Sequence, residues 1–310
     1  MTENITRRAA IAGMLAGAAV LTIKRPISFA QEATAVTAEG TTGPALPGYP
    51  ELDVTVTDNA IQVSSTQVPA GFVLLNVTNA GKEEAEAGVL GPGEGQTMDE
   101  LMAAAATPPA DPEGFPPFLY TATILGGPGN VLPGKSAQAL VNIPAGDWVV
   151  FPAGPQPPAP ITAVEGSDSN TTPPDASLTL TLGDFYFAGL DSVAAGPQIW
   201  KVTNEGEQPH MVVMAKVPAG TTVDQVIATA QSQESGTPAA GALPIDQIQD
   251  LPDGVILLSK GQTMYLPLTV GEGTFAILCF VTDPASGQPH VMQGMINIFT
   301  TSAGAATPTS

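Results

Sequence analysis

The sequence predicts an all-β protein, two tandem Greek-key β-sandwiches that each carry one short helical excursion. Three observations lead there. Gly and Pro number 33 and 31 of 310 residues while charged residues make up 12%, a balance that suits short strands and tight turns over charged surface helices. Short apolar stretches alternate at the two-residue period of a half-buried strand. The middle of the chain also repeats itself at a spacing of 125 residues, far beyond the ~20–50 residues of a solenoid unit, so the repeating unit is a domain.

The repeat is clearest without gaps. A shift of 125 places Gly71 on Gly196, Val77-Thr78-Asn79 on Val202-Thr203-Asn204, Gly81 on Gly206 and Thr97 on Thr222. A shift of 127 then places Gly134 on Gly261, Gly146 on Gly273 and Trp148 on Phe275. In the first copy, strands are expected over 52–56, 72–78, 87–90, 137–143, 148–151 and 161–164. The second copy matches them over 178–182, 199–203, 211–215, 263–270, 275–280 and 295–299. One helix per copy starts at Thr97 and Thr222, each a Thr N-cap with an acid in the first turn. The domains expected are 50–166 and 175–300, joined by a linker over 167–174 (SDSNTTPP).

The ends read differently. Thr6-Arg7-Arg8 precedes an apolar run over 9–23 and the small residues Ser28 and Ala30, so 1–30 resembles a twin-arginine export signal. The other reading is an uncleaved anchor, but the run is short for a bilayer span of ~20 apolar residues. Residues 31–49 form a flexible leader and 301–310 a low-complexity tail. Cleavage removes Arg7, Arg8, Lys24, Arg25 and Glu3. Five lysines, no arginine and 28 acids remain, a formal charge of −23. Such a surface repels phosphates and anionic lipids, which argues against nucleic-acid and membrane partners and suits a basic docking face on an unknown partner. The protein is expected outside the cytoplasm, in the periplasm or at the cell surface.

The chemistry-bearing residues are few. The chain has one cysteine, Cys279, and two histidines, His210 and His290. A lone cysteine in an exported chain cannot form an internal disulfide, so it pairs elsewhere, stays a thiol or binds a metal. Two His, one Cys and a weak thioether are the donors of a mononuclear type-1 copper site, where sulfur stabilises Cu(I) and imidazole suits both oxidation states. Met295 and Met292 both lie within reach of His290 in sequence. Zinc fits less well, because a thioether is a poor zinc ligand. The glycines at 91, 93 and 95 lack a strand–loop–helix context for phosphate, and Glu83-Glu84-Ala85-Glu86 reads as a solvated turn.

Gly273-x-Phe275-x₃-Cys279, followed by Pro289-His290-x₃-Gly294-Met295, resembles the C-terminal ligand loop of the plastocyanin-like blue copper proteins, the cupredoxins. Asn204 and His210 stand where that family has its strand-ending Asn and first ligand. The resemblance covers 175–299 and implies the ligands His210, Cys279, His290 and Met295, with Met292 as alternative axial donor and Asn204 supporting the loop. It also implies that His290 lies nearest the surface, as the exit route for electrons. The departure is the loop itself: ten residues, 280–289, separate Cys279 from His290, where the family has two to four. Asp283-Pro284, Ser286-Gly287 and Pro289 are turn formers able to close it.

The first copy acts as an internal control. It has Ala85 at the place of His210 and Pro152 at the place of Cys279, so the ligand types are absent together and only its fold is expected to be cupredoxin-like. The expectation is an exported blue copper protein transferring single electrons. Two alternatives stay open: a metal-free extracytoplasmic binding or assembly module, and a Cu(I) carrier. With two histidines the chain has none left for a second copper centre, and it is expected not to be an enzyme.

Overall fold

The structure, a computed structural model, describes residues 43–301 apart from 106, 108–114, 153–155, 167 and 252–253. The export signal, most of the leader and the tail from 302 onward therefore lie outside the described residues. The chain is mostly β-sheet. Its first half contributes β1 (Glu51–Val56), β2 (Ile61–Val63), β3 (Gln67–Pro69), β4 (Gly71–Asn79), β5 (Ala87–Gly91), β6 (Thr123–Gly126), β7 (Ser136–Ile143), β8 (Gly146–Pro152) and β9 (Ala159–Val164). The second contributes β10 (Leu178–Gly183), β11 (Tyr186–Ala188), β12 (Gly196–Asn204), β13 (His210–Val217), β14 (Gln249–Asp250), β15 (Val255–Leu258), β16 (Thr263–Val270), β17 (Thr274–Leu278) and β18 (Ile296–Thr300). Two α-helices stand among the described residues, α1 (Met98–Ala105) and α2 (Val223–Ser235).

The sequence repeat is a repeat of pairing. β1 lies parallel to β4 and β10 parallel to β12. β4 pairs antiparallel with β7, and β12 with β16. On the facing layer β5 pairs with β8 and β13 with β17, and these continue to β9 and β18. Alternating burial follows from the strand period: Leu52, Val54 and Val56 point inward from β1, and Leu178, Leu180 and Leu182 from β10. Both helices start as the sequence predicts. Thr222 and Gln225 form a reciprocal capping box on α2, which ends in the left-handed Gly236. The hydroxyl of Thr97 accepts from the Glu100 backbone N–H at 3.2 Å, and Glu100 in turn accepts from the Thr97 N–H at 2.8 Å.

The halves are joined more closely than a linker implies. β7 pairs with β16 through Val141–Met264 and Leu140–Tyr265, making one eight-stranded sheet in the order β11-β10-β12-β16-β7-β4-β1-β2. Two five-stranded sheets, one from each half, complete the β-structure. Phe72, Leu74, Leu140 and Tyr265 form an apolar cluster on the seam, where Phe72 and Tyr265 meet edge to face. The other side of the seam is also bonded across, by Gly129 N–H to Gly254 O, Ile256 N–H to Gly127 O and Ile124 N–H to the Ser259 hydroxyl. The largest apolar cluster runs through both halves, from Leu52 and Ile124 to Cys279 and Met295.

Candidate metal centre

β12 ends at Asn204, and a tight turn over 205–209 brings the chain to His210 at the head of β13. Asn204, fully buried, shapes that turn. Its amide donates to the carbonyls of Gln208 and Leu258 (both 2.8 Å) and its oxygen accepts from the Gly206 N–H. Asn79 makes the same three bonds in the first half, to Glu83, Val131 and Gly81. The bonds therefore belong to the fold, and Asn204 supports the site by holding the turn that carries Gln208 and His210.

Cys279 lies one residue beyond β17, and the ten-residue loop after it closes as a hairpin. Val281 accepts from the His290 N–H (2.8 Å), Thr282 faces Pro289 in a single bridge, and the Asp283 N–H donates to Gln288 (2.8 Å). The extra length is thus stacked outward as a turn over 284–287 and leaves its two ends side by side. Tyr120, from the first half, donates its hydroxyl to the Thr282 carbonyl at the hairpin's neck. Burial and the nearby Asp283 push this phenol's pKa up, so it stays a donor. A short 3₁₀ turn over His290–Gln293 then ends at the left-handed Gly294. Its backbone is welded to the cysteine: Val291 N–H to Cys279 O, Met295 N–H to His290 O, and Cys279 N–H to Met295 O.

These elements converge on three buried side chains. His210, Cys279 and His290 are each 0% exposed, and one ligand atom from each lies within 4.8 Å of the others. The Nδ1 atoms of the two imidazoles are 3.1 Å apart, and Cys279 Sγ lies 3.5 Å from His290 Nδ1 and 3.9 Å from His210 Nδ1. A point about 2.0 Å from all three atoms lies inside that triangle, in keeping with metal–nitrogen and metal–sulfur bonds of ~2.0–2.3 Å.

The bonds behind the triangle fix its protonation. Asp184 Oδ1 lies 3.1 Å from His210 Nε2. A carboxylate only accepts, so His210 carries its hydrogen on Nε2 and its Nδ1 is bare. Asp283 receives the Gln208 amide NH₂ at 2.9 Å, which turns the amide oxygen toward His290 Nε2 at 3.0 Å. His290 therefore also donates from Nε2, and its Nδ1 is bare as well. Two imidazole lone pairs consequently face each other across 3.1 Å with no hydrogen between them. That arrangement is repulsive unless a cation lies between them, and it is how a metal-binding His is oriented by a partner on its far nitrogen.

Burial sets the charge state. It lowers the pKa of both imidazoles, and that of His290, depressed further by His210, falls to about 4. Burial also pushes the Cys279 thiol up to about 12, against the opposing effect of the Met211 N–H, which lies 3.4 Å from Sγ. A metal taken up here displaces the thiol proton, as thiolate binding requires.

The structure brings His210, Cys279 and His290 together. Neither imidazole is exposed, and the edge of Phe185 closes over the His290 ring at a centroid distance of 5.1 Å. Phe185 is the one non-glycine with positive φ (69°) among the described residues, and it holds its ring there from the turn between β10 and β11. Met295 is fully buried and packs in the same apolar cluster as Cys279, whereas Met292 is half-buried against the cluster on the α2 side. Asp184, Gln208, Asp283 and Tyr120 had no part in the sequence-based site. Asp184 alone carried a signal, since the shift of 126 that places Leu52 on Leu178 sets it against Asp58 in the equivalent turn.

No protein-family model matches the sequence, and no curated protein sequence matches it. Solved structures with similarity include the dithionite-reduced auracyanin of Roseiflexus castenholzii, at 21% identity and TM-score 0.27, over 40% of this chain and 94% of that one. Auracyanin A of Chloroflexus aurantiacus, a blue copper protein, aligns at 20% identity and TM-score 0.26, over 40% of this chain and 98% of its own. The copper-containing nitrite reductase of Thermus scotoductus aligns at 10% identity and TM-score 0.22, over 83% of this chain and 62% of its own. The mostly β scaffold and the His–Cys–His donor set are consistent with a cupredoxin-like protein that binds copper.

The expectation that the chain is not an enzyme is corrected. The structures aligned along most of its length include that nitrite reductase and several multicopper oxidases, which are enzymes, though distant ones. Two histidines limit how many imidazole-rich centres one chain can build, and they place no limit on what a single copper centre reacts with. Among the described residues no helix is long and apolar enough to cross a membrane.

Proposed function

We propose that the chain is an exported blue copper protein that moves single electrons through one mononuclear type-1 site, in which His210, Cys279 and His290 would hold the copper and Met295 would supply the thioether. The observation that carries this reading is the pair of bare Nδ1 lone pairs facing each other beside a buried cysteine. Bound copper would supply one-electron exchange between Cu(II) and Cu(I). The chain's own residues do the rest. Asp184 and Gln208 fix the imidazole planes, the backbone ladder between Cys279, His290 and Met295 limits movement between oxidation states, and Phe185 with the hairpin excludes water. Met295 is preferred over Met292 because it shares the buried cluster of Cys279.

The scaffold is read as two tandem Greek-key sandwiches over 50–166 and 175–300, the first without metal ligands. Export rests on the twin-arginine-type stretch, and the charge of −23 on the remaining chain favours a redox partner with a basic docking face.

The test is a visible spectrum after adding Cu(II) and removing the excess. A strong thiolate-to-copper band near ~600 nm is expected, and Cys279→Ser should abolish it without changing the far-UV circular dichroism. A Cys279→Ser variant that stays blue overturns the ligand assignment. A colourless wild type that binds Cu(I) tightly makes the protein a Cu(I) carrier, and one that binds neither ion makes it a metal-free module. Assaying the blue form for nitrite reduction and for oxidase turnover then separates a carrier from an enzyme.

A further inference from the structure

The turn between β10 and β11 places a full negative charge on one imidazole that the fold does not itself require. In the first half Asp58 holds the equivalent turn by accepting the Lys82 N–H at 2.7 Å, and Ala85 stands where His210 would be. Asp184 does the same structural work, accepting from the Glu207 and Gln208 N–H groups at 3.0 and 3.2 Å. Its Oδ1 also takes the Nε2–H of His210 at 3.1 Å, an added contact with no counterpart in the first half. Gly206 leaves room for it: a Cβ there would come within 2.6 Å of His210 Nε2 and 2.4 Å of Asp184 Oδ1. The two imidazoles are consequently unequal. His210 is backed by a carboxylate that is 31% exposed, while His290 is backed by the neutral amide of Gln208, with Asp283 one residue further out.

We infer that Asp184 is a positioning residue that sets the redox balance of the centre, favouring Cu(II) over Cu(I) through His210. This rests on the copper reading above. A carboxylate accepting the far N–H of a ligating imidazole fixes its ring plane and raises its basicity at the other nitrogen. Its charge also attracts a divalent ion about twice as strongly as a monovalent one at the same place. The same bond that selects the tautomer therefore lowers the reduction potential.

The chain allows a direct test, because Asp184 Oδ1 reaches Glu207, Gln208 and His210, and Oδ2 shares only the Glu207 N–H, also at 3.0 Å. In Asp184→Asn the amide oxygen can keep all three while the charge goes. Midpoint potentials of the full-length protein are measured by following the blue band during reduction. Asp184→Asn should stay blue and lose about tenfold of its preference for Cu(II), within the usual range for such partners, which is a rise of about 59 mV for a one-electron couple. Asp184→Glu should return most of the shift, and Asp58→Asn, the same change in the first half, should leave the potential unmoved. An Asp184→Asn protein that is blue at the wild-type potential overturns the inference, as does an equal shift from Asp58→Asn. A wild type that shows no blue band refutes the copper reading instead. Should Asp184→Asn not fold, the Nε2–H resonances of the unaltered Cu(I) protein decide. That of His210 should lie well downfield of that of His290, and equal shifts would overturn the inference.

Discussion

At the scale of single residues, the site is defined as much by what faces its back as by its ligands. Asp184 and the Asp283–Gln208 relay leave both Nδ1 atoms bare, and a small residue makes the space. Gly206 sits against both His210 and Asp184, and Gly81 sits in the same turn of the first half, where a Cβ would come within 2.7 Å of Asp58 Oδ1. Either glycine replaced by alanine must push its aspartate away, at a cost of about 1–3 kcal/mol. The two outcomes should differ in function. Gly206→Ala should weaken copper retention and the blue band in a copper titration, while Gly81→Ala should lower the melting temperature comparably and leave the band intact. Equal effects on copper would mean that the Asp184–His210 contact is incidental.

At the scale of elements, the strands and both helix starts were legible because they rest on local signals: alternation, Thr caps and the repeat. The three converging ligands were legible because their residue types are rare in this chain. β2, β3, β11 and β14 were not, since a strand of two or three residues has no measurable period. β6 and β15 have the apolar residues of strands, but each is four residues long and pairs through an irregular register with β5 or β13, so no local pattern announces it. The polar residues around the site were equally hidden, because Gln208 and Tyr120 acquire meaning only through partners 82 and 162 positions away. Tyr120 is the clearest case. Its hydroxyl holds the neck of the ligand hairpin from the first half, and it stacks edge to face on Phe115. Tyr120→Phe keeps the ring and removes the donor, which should cost about 0.5–1.5 kcal/mol. Copper should then leave faster in a chelator chase, with the band unmoved in position. An unchanged release rate would show that the hairpin closes the site unaided.

At the scale of the molecule, the ligand-free half and the ligand-bearing half are one mechanical object. They share the eight-stranded sheet through β7 and β16, and Met264 is fully buried at that seam, close enough that a Cβ on Gly126 would come within 2.5 Å of its sulfur. Their main apolar cluster is continuous, and Cys279 and Met295 belong to it. Separating the halves would expose the seam faces of β7 and β16 and the backbone groups bonded between Gly129 and Gly254, so neither half is expected to open alone. Copper binds only the folded site and stabilises by an amount that grows with the logarithm of its concentration over its dissociation constant. Because the sheet is shared, that stabilisation should reach the first half. Hydrogen exchange followed by mass spectrometry should show β4 and β7, which carry no ligand, gaining as much protection on copper loading as β12 and β16. Protection confined to β12, β13, β16 and β17 would mean that the halves open independently and that β7–β16 pairing carries little of the stability.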